Sequence, residues 1–238
     1  MGRIVLLIMG LGVSFLLVTG LLRLTGEFDH SSPADIHPAI VPQKTLTEPL
    51  GESVELQLPA RIPGTDLVAE RLVNYEGPFI EDGSDTPVSN IAALIIRNIG
   101  TNSIREGSVT VSRGEKYYVF AFSYILPGMS VMVLESSAAP CFQDGITQIS
   151  GWTNLLDKSC RISDLSFNAL DMGRLTVTNL SENPLENIRL YHKNILQDGT
   201  YVGGVTYCTA IEILLPGETI AILPDHYADG YSKIFYAE

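Results

Sequence analysis

The chain has 238 residues, of which 45% are hydrophobic and 18% are charged, a composition that builds a folded core and excludes a wholly disordered protein. From Glu27 onward, 27 acidic residues stand against 13 basic ones, giving this part a net charge of −14. Because so acidic a surface repels phosphate groups and no Lys/Arg cluster reverses its sign locally, we expect no nucleic-acid partner.

The first predicted element is a membrane helix. Residues 4–22 are nineteen consecutive residues without a charge, and a helix of that length spans a hydrocarbon core of about 30 Å. No Ala-x-Ala-like cleavage site follows. We predict a transmembrane anchor over residues 1–24, with a cleaved signal peptide or a soluble core helix as alternatives. Arg3 and the large acidic part beyond the helix favour an extracytoplasmic C-terminal part at the cell membrane.

Residues 25–50 contain four prolines and no apolar period. Prolines at this density block helices and central strands. We predict a stalk that lifts the folded part away from the bilayer.

Beyond the stalk, short apolar runs alternate with turn signals such as Asp-Gly and Pro-Gly. This pattern predicts an all-β fold. The candidate strands are 53–58, 67–75, 91–97, 108–111, 117–125, 130–134, 173–178, 188–192, 202–213, 218–223 and 232–236.

Two segments of this part resemble each other. Residues 93–135 begin with ALIIRNIGTNSI and later read SYILPGMSVMVLE, whereas residues 174–224 begin with RLTVTNLSENPL and later read IEILLPGETIAILP. In both, an apolar strand runs into an Asn (Asn98 or Asn179), and a hairpin precedes a Leu-Pro-Gly corner. The second segment has the longer hairpin, where an insertion costs little.

This order of strands and turns resembles the small immunoglobulin-like sandwiches called CARDB and FxLYD modules of bacterial envelope proteins. The FxLYD signature itself is absent, and residues 189–192 (RLYH) are its nearest approach. The resemblance implies two tandem β-sandwich modules that act as spacers or interaction surfaces, without a catalytic residue set. We place module 1 at residues 51–140, a connector at 141–163 and module 2 at 164–238.

The Leu-Pro-Gly corners have a structural explanation. Proline sets φ near −65° at the first central turn position, and glycine supplies the positive φ of the second, as a type II turn requires. We interpret these residues as structural turns: Leu126, Pro127, Gly128, Leu215, Pro216 and Gly217.

Cys141 and Cys160 bracket the connector, and Cys208 lies in a predicted strand. A Cys141–Cys160 bridge would stabilise the fold by roughly 3 kcal/mol, but free thiols or another pairing fit the sequence as well. We expect Cys208 to be a buried strand cysteine.

Residues with catalytic or metal-binding chemistry are scattered. The four histidines form no His-Glu-x-x-His or other close pair, and no nucleophile signature is present. Acidic loops at residues 81–85 and 225–230 lack the spacing of an EF-hand and fit solvated turns, with weak calcium binding as the minority alternative. We predict no catalytic site, cofactor or metal site.

Aromatic residues supply the candidate binding surface. Tyr118, Phe120, Phe122 and Tyr124 alternate along one strand and therefore share one face, which we expect to be the core. Candidate contacts with a partner are Tyr201, Tyr207 and Trp152. For Trp152, a wedge between the two modules is the plainer expectation.

The sequence thus predicts a membrane-anchored extracytoplasmic binding or scaffold protein, whose partner is an envelope protein or a cell-wall polymer. One alternative is an accessory or sensor subunit of a transporter or signalling complex. An envelope hydrolase is a minor alternative.

Overall fold

The computed structural model describes residues 55–238. This part is built from strands and two short 3-10 helices, Ile162–Asp164 and Asp171–Gly173, which confirms the all-β prediction. The strands are β1 (Ala60–Arg61), β2 (Leu67–Phe79), β3 (Thr86–Asn98), β4 (Ile104–Arg113), β5 (Lys116–Ile125), β6 (Ser130–Leu134), β7 (Gln148–Leu155), β8 (Leu165–Ala169), β9 (Leu175–Asn179), β10 (Leu185–Ile195), β11 (Tyr201–Leu214), β12 (Thr219–Ile222) and β13 (Ser232–Ala237).

Strand β5 shows how the sequence pattern becomes a two-faced strand. Tyr118, Phe120 and Phe122 are buried, whereas Val119 and Ala121 between them are exposed. Side chains alternate across a strand, so the three aromatic rings enter the core together. The expectation that the aromatic stripe faces inward is correct for these three residues, whereas Tyr124 is half-buried and stacks on Tyr191.

Strand β3 is a central strand with both faces covered. Residues 91–96 are all buried. Leu94 and Ile96 belong to the main core cluster, whereas Ala93 and Ile95 pack in a second cluster on the opposite face. A continuous apolar run of this kind is what a strand buried on both sides requires.

The strands form three sheets. The largest has seven strands in the order β1-β2-β3-β6-β11-β10-β13, and two three-stranded sheets have the orders β12-β9-β8 and β5-β4-β7. All pairs are antiparallel except β6 with β11. The described residues belong to one compact unit.

The two similar segments have the same strand pairing. We call β2–β7 repeat 1 and β8–β13 repeat 2. Strand β3 pairs with β2 and β6 as β9 pairs with β8 and β12. Strand β4 pairs with β5 and β7 as β10 pairs with β11 and β13. Six consecutive strands of repeat 1 therefore have counterparts in repeat 2.

A buried asparagine makes the same hydrogen bonds in each repeat. Asn98 Nδ2 donates to the carbonyl oxygens of Asn102 (2.9 Å) and Ile125 (3.1 Å). Asn179 Nδ2 donates to those of Asn183 (2.8 Å) and Leu214 (2.9 Å). Both asparagines are at most 1% exposed, so the Asn-Leu-Ser sequence at Asn179 cannot carry a glycan in the folded protein.

The Leu-Pro-Gly corners close against these asparagines. Gly128 N donates to the carbonyl oxygen of Asn98 at 2.9 Å, and Gly217 N to that of Asn179 at 3.0 Å. Their φ angles are +75° and +72°, the left-handed values that a type II turn assigns to glycine. Both corners thus have the expected turn geometry.

The structure corrects three sequence-based assignments. Residues 55–58, the described part of the first candidate strand, are not in a strand. The connector 141–163 contains strand β7, which pairs with β4, and β8 was also missed. Strand β7 buries only Ile149, so its sequence lacks the alternation by which strands are recognised.

The predicted anchor (1–24) and stalk (25–50) lie outside the described residues. Among residues 55–238, no helix has the length and apolar character needed to cross a membrane.

Candidate functional site

The hairpin of repeat 2 contains an insertion. In repeat 1, β4 and β5 are joined by Gly114 and Glu115 alone. Counting from Asn98 and Asn179, the corresponding segment of repeat 2 is residues 195–204. We call this segment the inserted hairpin.

The inserted hairpin joins the two repeats. Tyr201 and Val202 pair in parallel with Val131 and Met132 of β6. Val202 is buried in the core cluster that also contains Met132 and Ile95. The insertion therefore extends the sheet of repeat 2 into that of repeat 1.

A buried lysine side chain is hydrogen-bonded to the inserted hairpin. Lys193 lies at a bulge in β10 and is 0% exposed. Its Nζ donates to the carbonyl oxygens of Gly203 (3.0 Å), Gly204 (2.9 Å) and Val205 (2.7 Å). All three ammonium protons have an acceptor, which is the condition for burying such a group. Burial lowers the pKa of Lys193.

Glu81 of repeat 1 binds the amide groups of the same segment. Its Oε1 accepts from Gly204 N (2.8 Å) and Leu134 N (3.0 Å), and its Oε2 from Val205 N (3.1 Å). Burial raises the pKa of Glu81, whereas its hydrogen bonds to backbone amides and the charge of Lys193 act to lower it. One carboxylate thus links β6 of repeat 1 to β11 of repeat 2.

Strands β5 and β11 approach each other closely beside this carboxylate. A Cβ atom at Gly204 would overlap the carbonyl oxygen of Ala121, so only glycine fits there. Next to it, Ser123 Oγ donates to Thr206 Oγ1 at 2.9 Å. This backbone contact requires glycine at position 204 of the inserted hairpin.

We call the contact between the two repeats the joint. Besides the inserted hairpin with Lys193 and Glu81, it contains three tyrosines. Tyr124 of repeat 1 stacks on Tyr191 with ring centroids 4.3 Å apart, and the ring centroid of Tyr236 lies 5.9 Å from that of Tyr124. Tyr124 has a φ of +50°, a strained value for a non-glycine residue. Tyr191 and Tyr236 belong to the core cluster of repeat 1 although they lie on strands of repeat 2.

Most residues on the outer face of the β5-β4-β7 sheet are exposed, although Ser112 is buried and Ser123 is hydrogen-bonded to Thr206 of repeat 2. Adjacent partners in antiparallel strands project to the same side, and on the inner side Val109, Val111 and Phe120 are fully buried. We call the outer side the Trp152 face. It consists of Glu106, Ser108, Thr110, Ser112, Tyr117, Val119, Ala121, Ser123, Gln148, Ser150, Trp152 and Asn154.

Repeat 2 uses the equivalent face for its contact with repeat 1. Matching the strand pairs places Tyr191 at the position of Thr110 and Tyr236 at that of Ser150. Trp152 corresponds to Glu238. The same side of the same sheet is thus an internal contact in repeat 2 and an exposed surface in repeat 1.

The structure separates the three predicted contact residues. Trp152 lies on β7 and is 53% exposed, so the prediction of a wedge between two modules is wrong. Tyr201 is half-buried, and its ring contacts Phe235 at 5.5 Å. It lines a cavity of about 350 Å³ together with the corner residue Leu126. Tyr201 therefore serves the joint, whereas Trp152 remains available to a partner.

Tyr207 lies in a stack that the sequence did not reveal. Its ring lies between His192 (5.2 Å) and His226 (4.7 Å). His226 Nδ1 is 2.7 Å from Asp85 Oδ2, so the two acidic loops predicted as separate turns meet here. Strand pairing and loop closure created this cluster, and no local spacing could have predicted it.

Burial controls the titration of this stack. His192 is 1% exposed, and burial lowers its pKa to about 4. Burial likewise raises the pKa of Tyr207 to about 12. His192 Nε2 and Tyr207 Oη have no hydrogen-bond partner within the described residues. His192 and Tyr207 are therefore both neutral around pH 7.

The cysteines differ from their predicted environments. Residues 55–238 include all three, and each is a free thiol, so a Cys141–Cys160 bridge is not formed. Cys208 is exposed and not buried as predicted. It lies on the side of β11 opposite to Tyr207 and near Arg189 of β10. Cys208 and His192 consequently project from opposite faces and form no nucleophile–base pair.

A charged cleft of about 520 Å³ lies beside Glu238. Glu238 in its wall is 3.1 Å from Lys158 and 3.7 Å from Arg189. Arg161, Asp157 and Glu186 also line the cleft, which gives it three positive and three negative side chains. Opposite charges neutralise each other across the cleft. No group of three His, Cys, Asp or Glu side chains suited to a metal ion occurs in the part of the chain that the structure describes.

No protein-family model matches the chain, and no curated protein matches it.

Proposed function

We propose that the chain is a membrane-anchored extracytoplasmic binding or scaffold protein. In this proposal residues 1–24 anchor it in the membrane, residues 25–50 are a stalk, and each repeat is an immunoglobulin-like sandwich. The partner is an envelope protein or a cell-wall polymer, and its contact surface is the Trp152 face.

The strand order within each repeat supports the immunoglobulin-like assignment. Numbered within a repeat, strands 1-2-5 form one layer and strands 4-3-6 the other. Immunoglobulin-like sandwiches share this arrangement, with A-B-E in one layer and C-F in the other. Repeat 2 encloses its own core between its two layers.

The observation that carries the binding function is the contrast between the two equivalent faces. In repeat 2 this face holds Tyr191 and Tyr236, which are at most 5% exposed. In repeat 1 it exposes Trp152 and Tyr117 at 53% and 69%. Exposed large aromatic residues on a rigid sheet are typical of interaction surfaces.

A photo-crosslinking residue in place of Trp152, introduced into the full-length protein in its native membrane, tests this surface. We expect one saturable crosslinked product at residue 152. The matched control is the same substitution at Tyr231, which is 70% exposed and lies outside the Trp152 face. Equal, non-saturable capture at both positions would argue against a specific surface.

Thiol labelling tests the proposed location. Cys160 and Cys208 are exposed, so a membrane-impermeant maleimide should label the protein on intact cells. The Cys160→Ser, Cys208→Ser double variant should lose most of this label. Labelling that requires cell lysis would contradict the extracytoplasmic assignment.

A further inference from the structure

The Trp152 face has an unusual chemical make-up for this acidic protein. Of its twelve residues, six carry hydroxyl groups (five Ser or Thr residues and Tyr117), two carry amides and only Glu106 carries a charge. Glu106 Oε1 accepts a hydrogen bond from Asn154 Nδ2 at 3.1 Å. The face therefore offers neutral donors and acceptors, and no basic group to attract an anion.

The two exposed aromatic rings are set diagonally across this face. Trp152 lies beside Ser108, and Tyr117 lies beside Ser112, so they are four residues apart along β4 and on opposite flanking strands. Ideal strand geometry puts their Cα atoms roughly 17 Å apart. Between them lies the strand pair of Thr110, which is half-buried, and Ser150, which is exposed.

A groove continues the face toward repeat 2. It lies between β5 and β11 and has a volume of about 470 Å³. Ala121, Ser123 and Glu106 belong both to the groove and to the Trp152 face. Because the joint between the repeats forms the far wall, the groove depends on the inserted hairpin.

We propose that the Trp152 face and this groove bind an uncharged polysaccharide strand. The inference rests on the proposed binding function and names the ligand class. Aromatic faces carry partial negative charge that attracts the C–H groups of sugar rings. Hydroxyl and amide side chains match the hydroxyl groups of a neutral glycan as donors and acceptors.

The charge distribution favours a neutral glycan over an anionic polymer. A polyanion would meet Glu106, which has no compensating cation among the groove and face residues, whereas the charge of Glu81 in the groove wall is already opposed by Lys193. Like charges across an interface weaken binding. A neutral strand avoids this repulsion.

Trp152 is the single tryptophan of the chain, so its fluorescence reports directly on the face. The full-length protein in detergent is titrated with cellohexaose and with the N-acetylglucosamine hexasaccharide. Polygalacturonate serves as the anionic comparison. We expect a saturable change in Trp152 emission with a neutral hexasaccharide and none with polygalacturonate.

Variants locate the binding site by calorimetry. Tyr117→Ala should weaken binding about tenfold, the value of one aromatic contact, and Trp152→Ala by at least as much. Tyr231→Ala is the matched control on an exposed tyrosine elsewhere. It should leave the affinity unchanged.

No response to either neutral hexasaccharide, a response to polygalacturonate alone, or an unchanged affinity in Trp152→Ala would overturn the glycan proposal. These outcomes are distinct from failure of the binding function. A specific crosslink from residue 152 to a protein, without glycan binding, would leave the binding function in place and change the ligand class.

Discussion

The equivalent sheets of the two repeats have opposite uses. In repeat 2 the outer face carries Tyr191 and Tyr236, which contact Tyr124 of repeat 1. In repeat 1 the matching positions are Thr110 and Ser150, and the face stays open. One scaffold thus yields an internal contact or a free surface according to whether the two matched central positions carry tyrosines or carry Thr and Ser.

The inserted hairpin is a second difference between the repeats, and it fixes how repeat 2 contacts repeat 1. The inserted hairpin, residues 195–204, brings β11 beside β6 and is held by Lys193 and Glu81. Repeat 1 has only Gly114 and Glu115 at this place. Aromatic packing supplies contact area in the joint, and the buried polar groups fix its register.

The largest expected effect comes from the buried lysine of the joint. Lys193→Met removes the donor for three carbonyl oxygens and leaves Glu81 without its cation, so the free energy of unfolding should fall by about 3 kcal/mol. Urea denaturation measures the loss. Lys233→Met, at an exposed position of β13, should change stability by less than about 0.5 kcal/mol. Equal effects would mean that Lys193 does not hold the hairpin.

The stack of His192 on Tyr207 should make the free energy of unfolding depend on pH. His192 has a folded pKa of about 4 and an unfolded pKa of about 6.5. Between these values the unfolded state binds more protons, so the contribution is complete above pH 6.5 and is lost as pH falls toward 4. The loss is about 3 kcal/mol at most.

Urea denaturation of wild type and His192→Phe across this pH range isolates that contribution. The variant keeps an aromatic ring beside Tyr207 but has no titratable group. The stability difference should move in favour of the variant as the pH falls from 6.5 to 4. A difference that does not depend on pH would refute the assignment.

The buried asparagines test whether the two repeats are equivalent inside as well as in strand order. Asn98→Ala and Asn179→Ala each remove two hydrogen bonds donated to carbonyl oxygens, one of which belongs to a buried residue, Ile125 or Leu214. Each should cost about 2 kcal/mol in thermal or urea unfolding. Asn74→Ala, at an exposed position of β2, is the control. A large cost in only one repeat would break the equivalence.

The smallest effect concerns a single hydroxyl group in the tyrosine cluster. Tyr236 Oη donates to the carbonyl oxygen of Lys158 at 3.0 Å, so Tyr236→Phe should cost about 1 kcal/mol. Tyr231→Phe, on a ring that is 70% exposed, should be silent in the same denaturation experiment. No cost for Tyr236→Phe would show that the aromatic ring alone makes the contact.

The sequence predicted what local patterns determine. The aromatic stripe of β5 and the Leu-Pro-Gly corners follow from alternation and turn chemistry, which act over a few residues. Strand β7 was not predicted because Gly151 and its polar neighbours obscure the alternation of apolar and polar residues. It supplies Trp152, so that residue's exposure was also mispredicted.

The joint could not be predicted because it depends on distant residues. Glu81 and Gly204 are 123 positions apart, and His226 and Asp85 are 141 apart. Such pairs meet only after the strands have found their partners. Charged residues at 193 and 81 also look like surface residues in a sequence, since their burial depends on backbone groups supplied by the inserted hairpin.

Hydroxyl-radical footprinting of the folded protein, read by mass spectrometry, compares the two equivalent faces in one measurement. Trp152 and Tyr117 of repeat 1 should be modified rapidly, whereas Tyr191 and Tyr236 of repeat 2 should be protected until the protein unfolds. Modification of Tyr191 and Tyr236 at the rate of Tyr117 under native conditions would contradict the docked arrangement of the repeats.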